Sequence, residues 1–323
     1  MTPAATATAT GTVAERLDPA HYQPARVPAE VLRHAGRPDT LGVGSPGKVG
    51  LLELGFEQLS GRTELVTHYQ KSPLQLMRPL YIDPARPGLA VSYLMSTGGG
   101  IVQADRLRTD LRFGAGTAAL VTTQAATRVH RMDTDYATQQ VLITAADGSY
   151  VEYLPDAVVP YAGSRCYQRT VITLAESATV LAGETVAGGR LARGERNAYQ
   201  VFASDLEWRR PDGQLLALDT VRLEPGAGGV DGPAVLGGHD LMSTFYAVTR
   251  RAPAAEVADA LHTAVAGRPD GLAFGVSVLP HEAGAWLRVL GSDSPAVTAA
   301  VRRAWDAVRR LLLGVPAPDL RKC

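Results

Sequence analysis

Short strand-forming segments recur along this chain at intervals of roughly ten residues, a spacing found in all-β folds. Most are rich in Val, Thr, Tyr and Leu, and Gly, Pro or Asp residues separate them. The segments are 48–56, 62–69, 74–81, 89–95, 107–113, 118–123, 139–144, 150–154, 166–174, 179–185, 198–203, 205–209 and 215–223. The pattern is typical of a sandwich, barrel or solenoid, and no fixed-period repeat singles out a regular solenoid.

The last part of the chain changes character. Apolar residues recur at helical spacing after Pro253 and again after Ser294-Pro295, and residues 272–279 and 285–290 resemble a hairpin between these helices. We therefore predict a mainly β protein with a β-helical or elongated β-sandwich-like body. A small C-terminal α/β portion with two helices packs on that body.

Three regions are predicted along the chain. Residues 1–47 are rich in Ala, Thr, Pro and Gly, so we expect an extension that is disordered or ordered only by a partner. Residues 48–250 form the β body, and residues 251–323 form the α/β portion.

The charge balance and the cysteine count exclude several classes of protein. Thirty-two basic residues balance thirty-two acidic ones, which disfavours nucleic-acid and membrane-surface binding. The two cysteines, Cys166 and Cys323, make no disulfide framework. The first residues lack the basic and apolar regions of a secretory signal, and no apolar run approaches the ~20 residues that span a bilayer. We expect a cytoplasmic protein.

A glycine-rich segment is the first candidate for chemistry. Gly98, Gly99 and Gly100 follow an apolar strand and precede Asp105. Backbone N–H groups of such a loop can bind phosphate, but neither nucleotide-binding fingerprint is present, so a tight turn is the simpler interpretation. Asp105 is then either a turn residue or a buried functional carboxylate.

The next candidates follow a second strand. Thr122, Thr123 and Gln124 form a polar stretch that suits a hydrogen-bonded strand end or a lined channel. His130 lies close in sequence to Asp133 and Asp135. These three side chains would make a nitrogen–oxygen site suited to nickel or zinc, although a lone histidine beside acids is commonly a hydrogen-bonded loop residue.

Acidic residues in two later segments complete the candidates. Glu152 shares a strand face with Leu154. Its carboxylate is therefore either on a solvent-exposed face of a sheet or buried beside a compensating group. Glycines bracket two acids and two arginines between residues 183 and 195, namely Glu184, Arg190, Arg193 and Glu195. Salt bridges explain that cluster, and the functional alternative is a loop that docks a partner or holds a cation in transit.

The sequence carries no signature of an enzyme nucleophile. It has no G-x-S-x-G elbow, and Cys166 has no histidine close in sequence. A β-helical carbohydrate-active enzyme that uses paired carboxylates such as Asp105 and Glu152 remains an alternative. The low aromatic content disfavours it, because sugar-binding clefts use aromatic platforms.

Taken in order, these segments resemble the urease accessory protein family UreD, called UreH in some organisms. The matching motifs are GRTEL, SPLQLMRPLY, STGGGIVQADRL, GAGTAALVTTQAATRVHR, VEYLPDAVVPYAGS and AGETVAGGRLARGE. The resemblance is strong from about residue 50 to 205. In the last third it rests only on the length of that segment and its general residue pattern. One departure is Ala104, because the family usually has a Gly-Asp pair where this chain has Ala104-Asp105.

The resemblance implies a β-helical scaffold for nickel insertion into urease rather than an enzyme. It implies binding to the urease apoenzyme, to the helical protein UreF and to the GTPase UreG, so that GTP belongs to a partner. Nickel would pass through an internal tunnel as cargo, with no cofactor tightly bound. Its transient ligands are then expected among Asp105, Glu152, Glu184, Glu195 and His130. Thr122 and Thr123 would line the path, and the glycine turn, Gln124, Arg190 and Arg193 would serve structure or partner binding.

Overall fold

Short strands dominate the computed structural model, which describes residues 11–36, 49–227, 229–267 and 271–322. In chain order the strands are β1 (Val49–Leu59), β2 (Arg62–Lys71), β3 (Leu74–Gln75), β4 (Ala90–Ser96), β5 (Arg106–Phe113), β6 (Ala118–Thr123), β7 (Thr127–Val129), β8 (Ala137–Ala145), β9 (Tyr150–Tyr153), β10 (Val158–Pro160), β11 (Arg165–Leu174), β12 (Thr179–Ala187), β13 (Val201–Arg209), β14 (Leu215–Leu223), β15 (Leu241–Val248), β16 (Ala273–Val278) and β17 (Gly284–Gly291). The α-helices are α1 (Val13–Leu17), α2 (Ala29–Leu32), α3 (Ala254–Val265) and α4 (Ser294–Leu313).

The chain coils between two sheets. Strands β1, β5, β8, β11 and β13 are parallel neighbours in the first sheet. Strands β4, β6, β9 and β12 are parallel neighbours in the second, and the short β7 and β10 form a third side against the end of β12. This is a β-solenoid of about four turns with two longer C-terminal helices, which confirms the predicted fold class.

Antiparallel strands extend the coil at its ends. Strand β2 pairs with β1 and β14 pairs with β13, while β15, β17 and β16 continue the second sheet beyond β12. The first sheet therefore has 7 strands. The second has 10 when β3, which pairs with β4, and the third-side strands β7 and β10 are counted with it.

The main apolar core lies between the sheets. Parallel register brings Leu54, Leu111, Ile143, Ile172 and Trp208 into one line across five strands of the first sheet. All five side chains are buried in the same cluster. Fully burying one such aliphatic side chain contributes roughly 1.5–3 kcal/mol, so stacking equivalent positions stabilises successive turns of the coil.

Helices α3 and α4 cover the outer face of the second sheet. Val257 and Leu261 of α3 and Trp305 and Val308 of α4 are buried there with side chains from the strands. Helix α4 begins one residue earlier than a Ser294 cap would place it, because the Asp293 carboxylate accepts the N–H of Ala296 at 3.0 Å and makes Asp293 the cap. None of the described helices is both long and apolar enough to cross a bilayer.

Several elements differ from the predicted ones. Strands β7 and β10 have only three residues each, too few for a recognisable alternation. Strand β15 was not predicted either, because all eight of its residues are buried and its two faces cannot be distinguished by polarity. The segments 198–203 and 205–209 form the single strand β13, and only Leu74–Gln75 of 74–81 is a strand.

Residues 11–36 pack against the first sheet, in contrast to the disordered or partner-ordered extension expected for residues 1–47. Val31 is fully buried against β11 and β13 residues, and Tyr22 is 2% exposed. Arg16 donates to the buried Glu53 carboxylate at 2.9 Å, which offsets the cost of burying that charge. Residues 1–10 and 37–48 lie outside the described residues, and the domain boundaries stay a prediction.

Candidate functional site

A strip of polar side chains interrupts the apolar core partway along the strands. Gln139, Gln168 and Ser204 are cross-strand neighbours on β8, β11 and β13, and Gln168 donates to the Gln139 amide oxygen at 2.9 Å. Thr123 of β6 and Glu184 of β12 lie on the facing sheet. In a coil of parallel strands, equivalent positions stack along the coil axis, so these residues form a polar strip parallel to that axis.

Two adjoining cavities run along this strip. The larger has a volume of about 290 Å³ and includes the glycine turn and Gln124–Thr127 in its wall. The smaller has a volume of about 40 Å³, which is room for about three waters, and includes Glu184. The two cavities share the wall residues Thr123, Thr127, Gln139, Val141 and Tyr153.

The glycine turn and the end of β6 form the mouth of the larger cavity. Gly98, Gly99 and Gln124 are exposed there. At Gly100, φ is 143°, and a Cβ would lie 2.4 Å from the Arg128 carbonyl oxygen, so only glycine fits. The Ile101 N–H then donates to that same carbonyl at 2.7 Å, which joins the turn to β7.

Glu184 and Asp156 are the two acidic residues in the wall of the inner cavity. The Glu184 carboxylate accepts a hydrogen bond of 2.6 Å from the Ser204 hydroxyl. Burial raises the pKa of Glu184 to about 7; the Ser204 hydrogen bond and Arg288 oppose this rise, and Asp219 adds to it. The Glu184 side chain lines the inner cavity, so the carboxyl group can release its proton into the cavity, or take one up, near neutral pH.

The strip ends at an ion pair on the far side of Glu184. Arg288 of β17 and Tyr246 of β15 both donate to the Asp219 carboxylate, and Arg288 also donates to the Thr244 hydroxyl at 3.2 Å. The Asp219 and Arg288 side chains are 23% and 28% exposed, so this end reaches the surface. Polar groups thus extend from the cavity mouth at the glycine turn, past Glu184, to the surface at Asp219 and Arg288.

Asp105 lies in the turn before β5, where it is 1% exposed. Its carboxylate accepts the Val102 N–H at 2.8 Å, and its carbonyl accepts the Thr138 N–H at 2.9 Å. The residue before it, Ala104, has φ 65°. The turn therefore keeps the left-handed backbone that a Gly-Asp pair would supply, at an energetic cost for alanine.

Replacing Ala104 with glycine is expected to stabilise the folded chain by about 0.5–1 kcal/mol, because the steric cost of alanine exceeds the extra chain entropy of glycine. Urea unfolding curves measure the change. The control is Ala115→Gly, at an exposed turn position without a positive φ, where glycine should lower stability. Equal losses in both variants would contradict the assignment of strain to Ala104.

Glu152 lies outside the cavities, beneath α4. Its carboxylate accepts hydrogen bonds from Tyr150 at 2.7 Å and from Arg309 of α4 at 3.1 Å, and Arg309 also donates to Asp83. Burial raises the pKa of Glu152, while the Arg309 charge opposes that rise. Glu152 and Asp105 lie in different parts of the fold and do not converge in a cleft, as paired catalytic carboxylates would.

Glu195 and His130 border a separate surface cleft of about 570 Å³. Arg190 donates to the Glu195 carboxylate at 2.7 Å, and this contact lowers the Glu195 pKa. Arg193 is exposed nearby. The His130 Nε2 lies 3.1 Å from the Gly99 carbonyl oxygen, so His130 contacts the glycine turn.

The suggested metal group around His130 is dispersed. Asp133 binds Arg131 at 2.9 Å and Asp135 binds Arg106 at 3.2 Å, so their carboxylates do not converge on the imidazole. In the described ranges, three potential metal ligands lie close together elsewhere, namely His21, Glu53 and Asp110. Both of those carboxylates are paired with arginines, Arg16 and Arg108, which leaves no net negative charge for a cation.

The two threonines of the polar stretch point in different directions. Thr123 faces the cavities, whereas Thr122 is buried on the other face of β6 and donates to the Leu154 carbonyl. The Thr123 hydroxyl donates to the carboxylate of Asp156, a wall residue of the inner cavity.

Glu184 could be predicted from the sequence, whereas most of its polar neighbours could not. Gln139, Gln168, Ser204 and Asp219 occupy inward positions of strands whose other inward residues are mostly apolar. A polar residue at an inward position is a usable signal, but only once the register between successive turns is known.

The solenoid and its interior define a class: a β-solenoid protein with a polar cavity between its two sheets. A sequence model of the family described as "UreD urease accessory protein" matches residues 48–322 of this chain. The chain belongs to the UreD urease accessory protein family.

Curated relatives agree with this family. The chain is 58% identical over 290 residues to Urease accessory protein UreD 2 of Streptomyces griseus subsp. griseus, covering 89% of this chain and 98% of the relative. It is 39% identical over 283 residues to UreD 3 of Methylorubrum populi, covering 87% and 91%. It is 34% identical over 285 residues to UreD of Cenarchaeum symbiosum, covering 88% and 99%. The family confirms an accessory protein without catalytic activity, so the carbohydrate-active alternative is not supported.

Proposed function

We propose that this chain is a scaffold for urease maturation and that nickel passes through its internal polar cavities on the way to the urease active site. Family membership supports the link to urease. The observation that carries the nickel path is Glu184, a carboxylate in the inner cavity with a serine hydroxyl as its direct partner.

The chemistry of Glu184 suits a cation in transit. A divalent cation binds the carboxylate and releases its proton, and a pKa near 7 makes that exchange inexpensive at neutral pH. Besides the Asp156 carboxylate, the surrounding ligands are neutral oxygens from amides and hydroxyls, and such an oxygen site holds nickel less tightly than a cluster of cysteines or histidines. An ion held in this way is also released readily.

The other predicted acids have fixed partners. Arg309 neutralises Glu152, Arg190 neutralises Glu195, and Asp105 is anchored to the backbone of its turn. In the described part of the chain, Glu184 makes no salt bridge. Glu184 is therefore the predicted nickel ligand that remains best supported, with Asp105, Glu152, Glu195 and His130 assigned to structural contacts.

The partners follow from the family rather than from any surface described above. We infer binding to the urease apoenzyme, to UreF and, through it, to UreG, which would bring the GTP. Nickel is cargo in this account, and no tightly bound cofactor is invoked. The cytoplasmic location stays a prediction.

Reconstitution tests the proposal. Apo-urease is incubated with nickel, GTP, UreF and UreG, with or without this chain, and nickel per urease is measured after gel filtration. We expect the chain to co-elute with the urease subunits and to raise their nickel content several-fold. Absence of co-elution, together with unchanged nickel content, would contradict the function.

A further inference from the structure

Asp156 lies where the inner cavity meets the outer face of the second sheet. Its backbone N–H donates to the Thr123 hydroxyl at 2.9 Å, and that hydroxyl donates back to the Asp156 carboxylate at 3.1 Å. The same carboxylate is 31% exposed on its outer side. One acidic group therefore contacts both the cavity wall and the surface.

A lysine ammonium group occupies the outer side of this carboxylate. Lys322 Nζ donates to both Asp156 oxygens at 2.8 Å and to the Thr122 hydroxyl at 2.8 Å. All three ammonium donors are thus directed at oxygen atoms. The arrangement of a carboxylate and a hydroxyl around a cation is also that of a hard divalent-cation site.

The tail that carries Lys322 packs Ala317 and Leu320 against the apolar cluster beneath α3 and α4 and also makes hydrogen bonds. The Tyr93 hydroxyl donates to the Leu320 carbonyl at 2.6 Å, and the Ala317 N–H donates to the Asp306 carboxylate at 2.8 Å. Lys322 itself is 24% exposed. A partly exposed ion pair contributes only about 0–1 kcal/mol, so the ammonium can leave without unfolding the body.

We propose that the Asp156 carboxylate and the Thr122 hydroxyl form a side site for a divalent cation, and that Lys322 blocks it as a tethered competing cation. Withdrawal of Lys322 leaves a carboxylate at the cavity wall with no compensating charge from the tail. A cation bound there lies beside the inner cavity that contains Glu184. The choice of nickel as that cation rests on the proposed function, whereas the competition with Lys322 does not.

Calorimetric titration of the full chain with Ni²⁺ tests the competition. Lys322→Ala removes the competing charge, and Lys322→Met does so while keeping most of the aliphatic stem. Both variants are expected to bind one Ni²⁺ about five times more tightly, the gain expected from removing a competitor worth about 1 kcal/mol. The matched control, Arg321→Ala, removes a positive charge from the neighbouring position and should leave the affinity within about twofold.

A second substitution shows whether the gain in Ni²⁺ affinity arises at Asp156. Asp156→Asn combined with Lys322→Met should return the Ni²⁺ affinity to the wild-type value or below it. Equal affinities for Lys322→Met and Arg321→Ala, or a gain that survives Asp156→Asn, would overturn the proposal. Because the titration contains no urease, failure of the chain to deliver nickel to urease would not alter this result, and the two proposals fail independently.

Discussion

Replacing Glu184 with glutamine is expected to stabilise the folded chain at pH 8 by about 2–3 kcal/mol, since a pKa difference of one between the folded and unfolded states corresponds to about 1.4 kcal/mol. Glutamine keeps a group that accepts the Ser204 hydrogen bond and removes the buried charge. Urea unfolding midpoints of the wild type and the variant, measured from pH 5 to pH 8, give the difference.

The pH dependence follows from the direction in which burial moves the pKa. The pKa of Glu184 is about 7 in the folded chain, above the ordinary value of 4.5. The folded state therefore holds the proton more tightly than the unfolded state does. The stability that this confers is fully present below pH 4.5 and is lost as the pH rises through 7.

The advantage of glutamine should accordingly be small at pH 5 and largest at pH 8. Glu256→Gln, at an exposed position of α3, is the control and should change stability by no more than a few tenths of a kcal/mol at either pH. A Glu184→Gln chain that is less stable than the wild type at pH 8 would contradict a Glu184 pKa that burial has raised.

Replacing Arg309 with methionine is expected to destabilise the chain by about 3–5 kcal/mol, because two buried carboxylates lose their shared counter-charge. Arg309, Glu152 and Asp83 have side chains that are at most 1% exposed. The loss should appear in urea unfolding and as faster proteolysis of α4. Arg310→Ala is the matched control, since the adjacent Arg310 makes an exposed i,i+4 pair with Asp306 worth about 0.3–0.5 kcal/mol.

A compensating variant identifies the cause. Arg309→Met combined with Glu152→Gln and Asp83→Asn removes the uncompensated charges and should recover a large part of the lost stability. A loss for Arg309→Met as small as that for Arg310→Ala would show that the network does not fasten α4 to the second sheet.

The elements with clear periodicity could be predicted from the sequence. Helix α4 combines apolar residues at helical spacing with a proline in its first turn, and strands such as β6 have turn residues on both sides. Strand β15 lacks such a signal because helices cover the outer face of its sheet, so both of its faces are buried. For the same reason, polarity could not show which face of a second-sheet strand points inward.

Glu152 and Glu184 illustrate this limit for the site. Each lies in a strand of the second sheet among mostly apolar residues, and the sequence offered both as nickel ligands. Glu152 points to the helices and pairs with Arg309, whereas Glu184 points to the cavity. Only the tertiary arrangement distinguishes them, because the partner of Glu152 is 157 residues away in the chain.

Glu184→Gln also gives the most direct test of the nickel path, because the variant is expected to be at least as stable as the wild type. Complexes of urease, UreF and UreG with wild-type or Glu184→Gln chain are purified in equal amounts, supplied with nickel and GTP, and assayed for nickel per urease. We predict intact complexes whose urease acquires nickel about tenfold more slowly, since losing one charged ligand costs roughly 1.4 kcal/mol or more. Nickel incorporation at the wild-type rate would contradict a path through Glu184.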